Sequence, residues 1–145
     1  MTEQAARRVA ERVHRRALDR YGAPLLDHVR RVAALVPREA RTVAWLHEVL
    51  ECTTLSPHAL RVAGATEDEV RAVELLTRAP SADPAAYEAH VRRIAQAPGR
   101  AGDLARAVKR ADLNDRLRHQ ETGAGSAPVR PAYGGALALL ASVEA

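Results

Sequence analysis

The chain has 145 residues, 47% hydrophobic and 28% charged, which suffices for one domain with a real core and excludes a disordered chain. Phe is absent and Trp and Tyr are scarce, so the core must be aliphatic, and the abundance of Ala favours helices over a β-sandwich. The net charge of +4 suits anionic partners, but every basic residue except Lys109 is Arg and aromatic–basic interleaving is missing, which disfavours nucleic acid.

The N-terminal stretch MTEQAARRVAERVHRR is amphipathic and lacks a secretory apolar core. It reads as a first helix over residues 2–20, stopping at Gly22. Pro24 opens a second helix to about Val36, with Leu25, Val29, Val32 and Val36 on one face, and Pro37 ends it. A third helix is expected over residues 38–52, with Val43, Trp45, Leu46, Val49 and Leu50 as core candidates. Ser56-Pro57 is a cap plus first-turn proline for a short helix ending at Gly64. Thr66 and Glu69 form a capping box before the apolar set Val70, Val73, Leu76 and Thr77. Asp83-Pro84 starts the next helix, which runs to about Ala97, and a turn over 98–102 precedes a long helix over 103–119. Residues 122–131 read as a flexible loop and 132–143 as a short apolar C-terminal helix. No strand is expected. The sum is an all-α bundle of six to eight helices in a single domain over 1–145.

No apolar run approaches the ~20 residues of a membrane helix. Cys52 is alone, so no internal disulfide forms, in keeping with a cytoplasmic location.

His28 lies in the second helix, His47-Glu48-Val49-Leu50-Glu51 in the third, and Asp112 and Asp115 in the long one. Residues three or four apart share a helix face, which pairs His47 with Glu51 and Asp112 with Asp115. Two imidazoles and two carboxylates from three helices would suit Mn²⁺, Fe²⁺, Zn²⁺ or Mg²⁺. Such a cation polarises a phosphoryl oxygen and acidifies a water, and Glu51 is placed to orient that water or accept its proton. Spacing alone leaves open the plainer reading of ordinary helix-face residues. Of the others, His14 reads as a site-mouth residue or an exposed one, His58, His90 and His119 as surface residues, and Cys52 as a small buried residue rather than a soft ligand.

Residues 42–53, TVAWLHEVLECT, resemble the central segment of the HD-domain phosphohydrolase superfamily, which typically reads LLHDVVEDT. Residues 108–117, VKRADLNDRL, resemble that family's VKLADxxxN helix, and His28 in LLDHVRRVA matches its first His. The pattern H-x(7)-G-x-P-x(3)-H, formed by His14, Gly22, Pro24 and His28, resembles the start of SpoT-type (p)ppGpp hydrolases and small single-domain relatives. Leu76-Thr77-Arg78 resembles the LTK of the same group. The resemblance implies an all-α HD-type bundle that binds a divalent metal, with Mn²⁺ foremost, and removes pyrophosphate from a nucleotide. It implies His28, His47, Glu48 and Asp112 as metal ligands and Glu51 as the water-orienting acid. Arg20, Arg78, Lys109 and Arg116 are the candidates for binding the phosphorylated substrate.

Four departures stand out. Glu48 replaces the family's Asp, Cys52 replaces the second acid after the motif, and Arg116 replaces an Asn. The basic residue near the first turn has shifted, leaving Arg20 as the nearest candidate. Arg116 admits two readings: it clamps a substrate phosphate, or it bridges to Asp112 or Asp115 in place of a metal. The expected activity is therefore a metal-dependent phosphohydrolase, against the alternative of a catalytically impaired HD-fold module that binds a ligand or partner. A homo-oligomer is compatible with either.

Overall fold

Local caps set several of the helix starts. In the computed structural model, which describes residues 1–120 and 130–144, the Thr2 side chain accepts from the Ala5 amide and opens α1 (Glu3–Val13). Ser56 does the same for α5 (Pro57–Val62), accepting from the Ala59 amide. The reciprocal Thr66–Glu69 box opens α6 (Glu67–Leu76), and Asp83 caps α7 (Pro84–Gln96). The remaining elements are α2 (Leu25–Leu35), a 3₁₀ turn (Arg38–Ala40), α3 (Arg41–Leu46), α4 (Val49–Cys52), α8 (Gly99–Gln120) and α9 (Arg130–Glu144). Among the described residues no strand occurs, only one antiparallel bridge between Leu18 and Pro24.

Four boundaries differ from the sequence expectation. The first helix stops at Val13 rather than continuing to residue 20. Beyond it the chain reverses: Asp19 N donates to Ala23 O, Leu25 N donates to Ala17 O, and the Asp19 carboxylate accepts from the Tyr21 and Ala23 amides. Gly22, at φ 80°, supplies the left-handed residue of that reversal. The expected third helix is broken into the 3₁₀ turn, α3 and α4, with a turn at His47-Glu48. There the His47 ring takes the Ala44 carbonyl at 2.6 Å, the acceptor an unbroken helix would give to the Glu48 amide. Next, α8 begins at Gly99, earlier than expected. Arg106, in the second turn of that helix, donates to the α7-end carbonyls of Ile94, Ala95 and Ala97. The loop expected over 122–131 lies, through residue 129, outside the described residues; the C-terminal helix is present and starts two residues early.

The core is aliphatic, as the composition requires. Leu46, Val49, Leu60, Ile94, Leu113 and Leu140 are fully buried. The two fully buried alanines of α1, Ala6 and Ala10, let it lie close against α3. The long α8 runs through the middle and packs on α2, α6, α7 and α9. Its buried face brings Asp112 against α2 and against the α3–α4 junction.

Candidate metal centre

Three elements meet at one polar spot inside this aliphatic bundle. α2 supplies His28, the α3–α4 break supplies His47 and Glu48, and α8 supplies Asp112; all four side chains are buried. The His28 Nε2 lies 2.9 Å from Asp112 Oδ1 and 3.9 Å from Glu48 Oε1. The His47 Nε2 lies 3.4 Å from Glu48 Oε1 and 3.9 Å from Asp112 Oδ1. One donor atom from each residue falls within 4.8 Å of all the others. Donors bound at ~2.1 Å to one ion sit at most ~4.2 Å apart, so only a slight contraction would close a four-ligand shell.

The far side of each ring is already fixed. Nδ1 of His47 donates to the Ala44 carbonyl, and Nδ1 of His28 meets Asp115 Oδ2 at 2.7 Å. With the protons held at Nδ1, both Nε2 atoms turn lone pairs inward, and neither has an aligned hydrogen-bond partner despite being buried. Two orphaned imidazole nitrogens facing two carboxylates fit a divalent cation. Asp115 is in turn gripped by Arg31, whose Nε and Nη2 donate at 2.7 and 3.1 Å. This Arg31–Asp115–His28 chain orients the ring, a function the sequence reading did not assign. The spacing hinted at it: Asp115 lies one turn beyond Asp112, and Arg31 one turn beyond His28.

Arg116 occupies the same spot from the cleft side. Its Nε donates to Asp112 Oδ1 at 2.8 Å and its Nη2 to Glu48 Oε1 at 2.9 Å. Of the two sequence readings, the bridge is the one formed, to Asp112 and Glu48 rather than to Asp115. Burial by itself would raise the pKa of Glu48, but contact with His47 and the charge of Arg116 outweigh it and hold the carboxyl far below its usual range. Asp112 is likewise held low, against its burial, by Arg116 and Lys109. Burial pulls the His28 pKa down, yet Asp112 and Asp115 pull it up more, so a proton is drawn to the same edge a cation would use.

His47, Glu48, Asp112 and Arg116 line a cleft of about 230 Å³, with His28 buried behind them. Arg20 lies on its exposed rim, and Arg78, Lys109 and Arg116 stand along its wall. Lys109 is buried, 3.3 Å from Asp112 Oδ2. Arg78 and Lys109 both approach the ring of Tyr87, at 5.0 and 5.5 Å from its centroid. Glu51 stands at the mouth, where Oε1 accepts from the Arg78 amide at 2.8 Å. Desolvation in the cleft, then the charge of Glu48, push its carboxyl pKa up.

Several single-residue expectations need correction. His90 is buried rather than on the surface: it lines the cleft beside Tyr87 and is only 1% exposed, with both ring nitrogens unpartnered. His14 is neither exposed nor at the mouth; it is buried at the end of α1. Cys52 is exposed, not a small buried residue, with Sγ 3.4 Å from Glu48 Oε2. Desolvation and that carboxylate push its thiol up to about 12, so it cannot replace the missing acid as a proton acceptor. Tyr87, His90 and Tyr133 were missed as cleft residues. Their signal was faint: two of the few aromatics in the chain, and a His one turn beyond the first of them.

No family model matches the chain, and no curated protein matches it in sequence. Among solved structures it superposes on a metazoan ortholog of SpoT, described as hydrolysing ppGpp and playing a role in starvation responses. The TM-score is 0.76 at 20% identity, over 97% of this chain and 84% of that one. At that identity the likeness establishes architecture: the chain has the all-α, HD-type helical fold of a SpoT-type hydrolase, with a buried His–Glu–Asp cluster that could bind a divalent metal.

Proposed function

We propose that this chain is a single HD-type domain acting in the cytoplasm as a metal-dependent phosphohydrolase on a nucleotide or related small phosphate. Pyrophosphate removal from a (p)ppGpp-like nucleotide is the most specific form of that reading. The observation that carries it is the meeting of His28, His47, Glu48 and Asp112, both Nε2 atoms unpartnered, beside a cleft into which Arg20, Arg78, Lys109 and Arg116 also face.

Those four residues would hold the cation, Mn²⁺ by preference, with Fe²⁺, Zn²⁺ or Mg²⁺ as substitutes. When bound, it supplies Lewis-acid polarisation of a phosphoryl oxygen and a lowered pKa for water. The protein's own groups do the rest. Glu51 orients the attacking water with the oxygen not engaged by the Arg78 amide, and its raised pKa brings it nearer to a general base for neutral pH. Lys109 and Arg78 neutralise charge on the phosphoryl group, and Arg20 meets the ligand at the rim. Asp115 and Arg31 keep the His28 ring aligned.

The test is a calorimetric Mn²⁺ titration of metal-stripped protein, with His47→Ala as control, followed by a pyrophosphate-release assay on ppGpp and other nucleotides. One-to-one binding lost in the variant, together with turnover, is the expected result. Absence of binding for Mn²⁺, Fe²⁺, Zn²⁺ and Mg²⁺ alike would refute it. The Arg116 bridge to Glu48 and Asp112 favours a second reading, an HD-fold module that binds ligands without catalysis. Metal and nucleotide binding without turnover would select it.

A further inference from the structure

Arg116 donates to the two oxygens that a metal would need. Glu48 Oε1 and Asp112 Oδ1 face the histidine Nε2 atoms, and the same two oxygens receive Nη2 and Nε of Arg116. Neither carboxylate has an idle oxygen to offer instead. The second oxygen of Asp112 lies 3.3 Å from Lys109 Nζ, and that of Glu48 accepts from Cys52 Sγ at 3.4 Å. The charges of the cluster also balance without a metal: two carboxylates face Arg116 and Lys109. A divalent cation added to that set would leave buried positive charge unless Arg116 moved or an anion entered. Arg116 can move. Its side chain keeps 22% of its surface exposed, lines the cleft, and projects from α8 one turn beyond Asp112.

We propose that Arg116 is a displaceable internal cation: it holds Glu48 and Asp112 together until a divalent metal takes their oxygens, and it then turns to an oxyanion of the ligand in the cleft. Metal and phosphate therefore bind with positive coupling through one side chain. The residue that bridges Glu48 and Asp112 and the residue that clamps the ligand oxyanion are the same group in two positions. This inference rests on the metal reading above. It adds that metal binds more tightly when a phosphorylated ligand is also present.

The test is calorimetric titration of Mn²⁺ into metal-stripped wild type, Arg116→Gln and Arg116→Lys. Each is run with and without sulfate, an oxyanion that mimics phosphate and chelates Mn²⁺ weakly in solution. Without sulfate, Arg116→Gln should bind Mn²⁺ about tenfold more tightly than wild type, within the usual range of coupling between sites. Arg116→Lys, whose shorter ammonium reaches one carboxylate, should fall between them, and it carries the test if the Gln variant folds poorly. Sulfate should tighten Mn²⁺ binding severalfold in wild type and leave Arg116→Gln nearly unchanged. The rise in Tm on adding Mn²⁺ should be larger in Arg116→Gln than in wild type. A wild type that binds Mn²⁺ as well as or better than both variants would overturn the displacement and leave the metal reading standing. No binding by any of the three proteins would remove the metal reading and this inference with it.

Discussion

Replacing His90 by leucine should remove an acid sensitivity that the wild-type fold carries. His90 is almost wholly buried, neither ring nitrogen has a partner, and the cations Lys109, Arg78 and Arg93 are nearby. Burial first, and those charges next, push its pKa down to about 3 from the usual 6.5. The native state therefore resists a proton that the unfolded chain accepts readily. For a base shifted down in this way, stability falls as pH drops below the unfolded pKa, and the fall continues until the folded pKa is reached, here from about 6.5 to about 3. At pH 7 the loss is only ~0.2 kcal/mol, and at pH 5 it reaches ~2 kcal/mol. The pH 5 figure barely depends on the folded value, provided that value lies below ~4. The assay is urea unfolding of wild type and His90→Leu at pH 7, 6 and 5. Leucine changes the intrinsic stability by an amount that does not vary with pH, so the informative quantity is the change in the gap between the two proteins. His14, shifted down by its own burial, and His28, shifted up, titrate in both proteins and cancel in the comparison. The gap should move by ~2 kcal/mol in favour of the variant between pH 7 and pH 5. Parallel stability curves would show that His90 accepts its proton in the folded state, and the reasoning would fail.

Glu51→Gln should lower turnover by about 10²- to 10⁴-fold while leaving Mn²⁺ affinity and Tm near wild type, because the side chain stands at the cleft mouth rather than in the core. Steady-state kinetics beside a calorimetric titration checks it; undiminished turnover would remove Glu51 from the chemistry. Asp115→Asn should weaken Mn²⁺ binding by about 10- to 100-fold, because His28 loses the charged acceptor that fixes its ring. Wild-type affinity in that variant would show that the ring is held without it. Gly102→Ala should destabilise the fold by ~1–3 kcal/mol in urea, since a methyl group there would overlap the Ala97 carbonyl. A neutral effect would mean that the turn from α7 to α8 yields freely.

The parts of this molecule that were legible in its sequence are those decided by near neighbours. Thr66 with Glu69, Ser56 with Pro57 and Asp83 with Pro84 mark helix starts because each cap is satisfied within three residues. The four cluster residues were legible through resemblance, each carried by a short motif around it; spacing alone suggested a site of two imidazoles and two carboxylates but left open the plainer reading of ordinary helix-face residues. What escaped was set by distant partners. Nothing local to residues 14–20 announces that Leu18 will pair with Pro24 and end the helix early. The break at His47-Glu48 depends on where one imidazole points. The tie between α8 and the end of α7 depends on Arg106 reaching back to the Ala97 carbonyl. The burial of His90 depends on α7 being covered by both α8 and α9, which a short polar-looking helix does not reveal. Arg116 was read as a phosphate clamp or a bridge, and only the packing of α8 against the α3–α4 junction brings Glu48 within its reach.

The Arg106 clasp has a mechanical consequence for the cleft. One guanidinium ties three carbonyls at the end of α7 to the second turn of α8, and Asp103 holds the same group at 2.5 Å. Tyr87 and His90 on one helix, and Lys109 and Asp112 on the other, are thereby carried on a single braced hairpin. That side of the cleft behaves as an anvil. The opposing rim, from Leu18 to Arg20, is held by one isolated bridge and by Asp19's bonds to exposed amides. A ligand entering the cleft should therefore deform the rim and spare the hairpin, and amide hydrogen exchange should be fast at residues 18–23 and slow along α8.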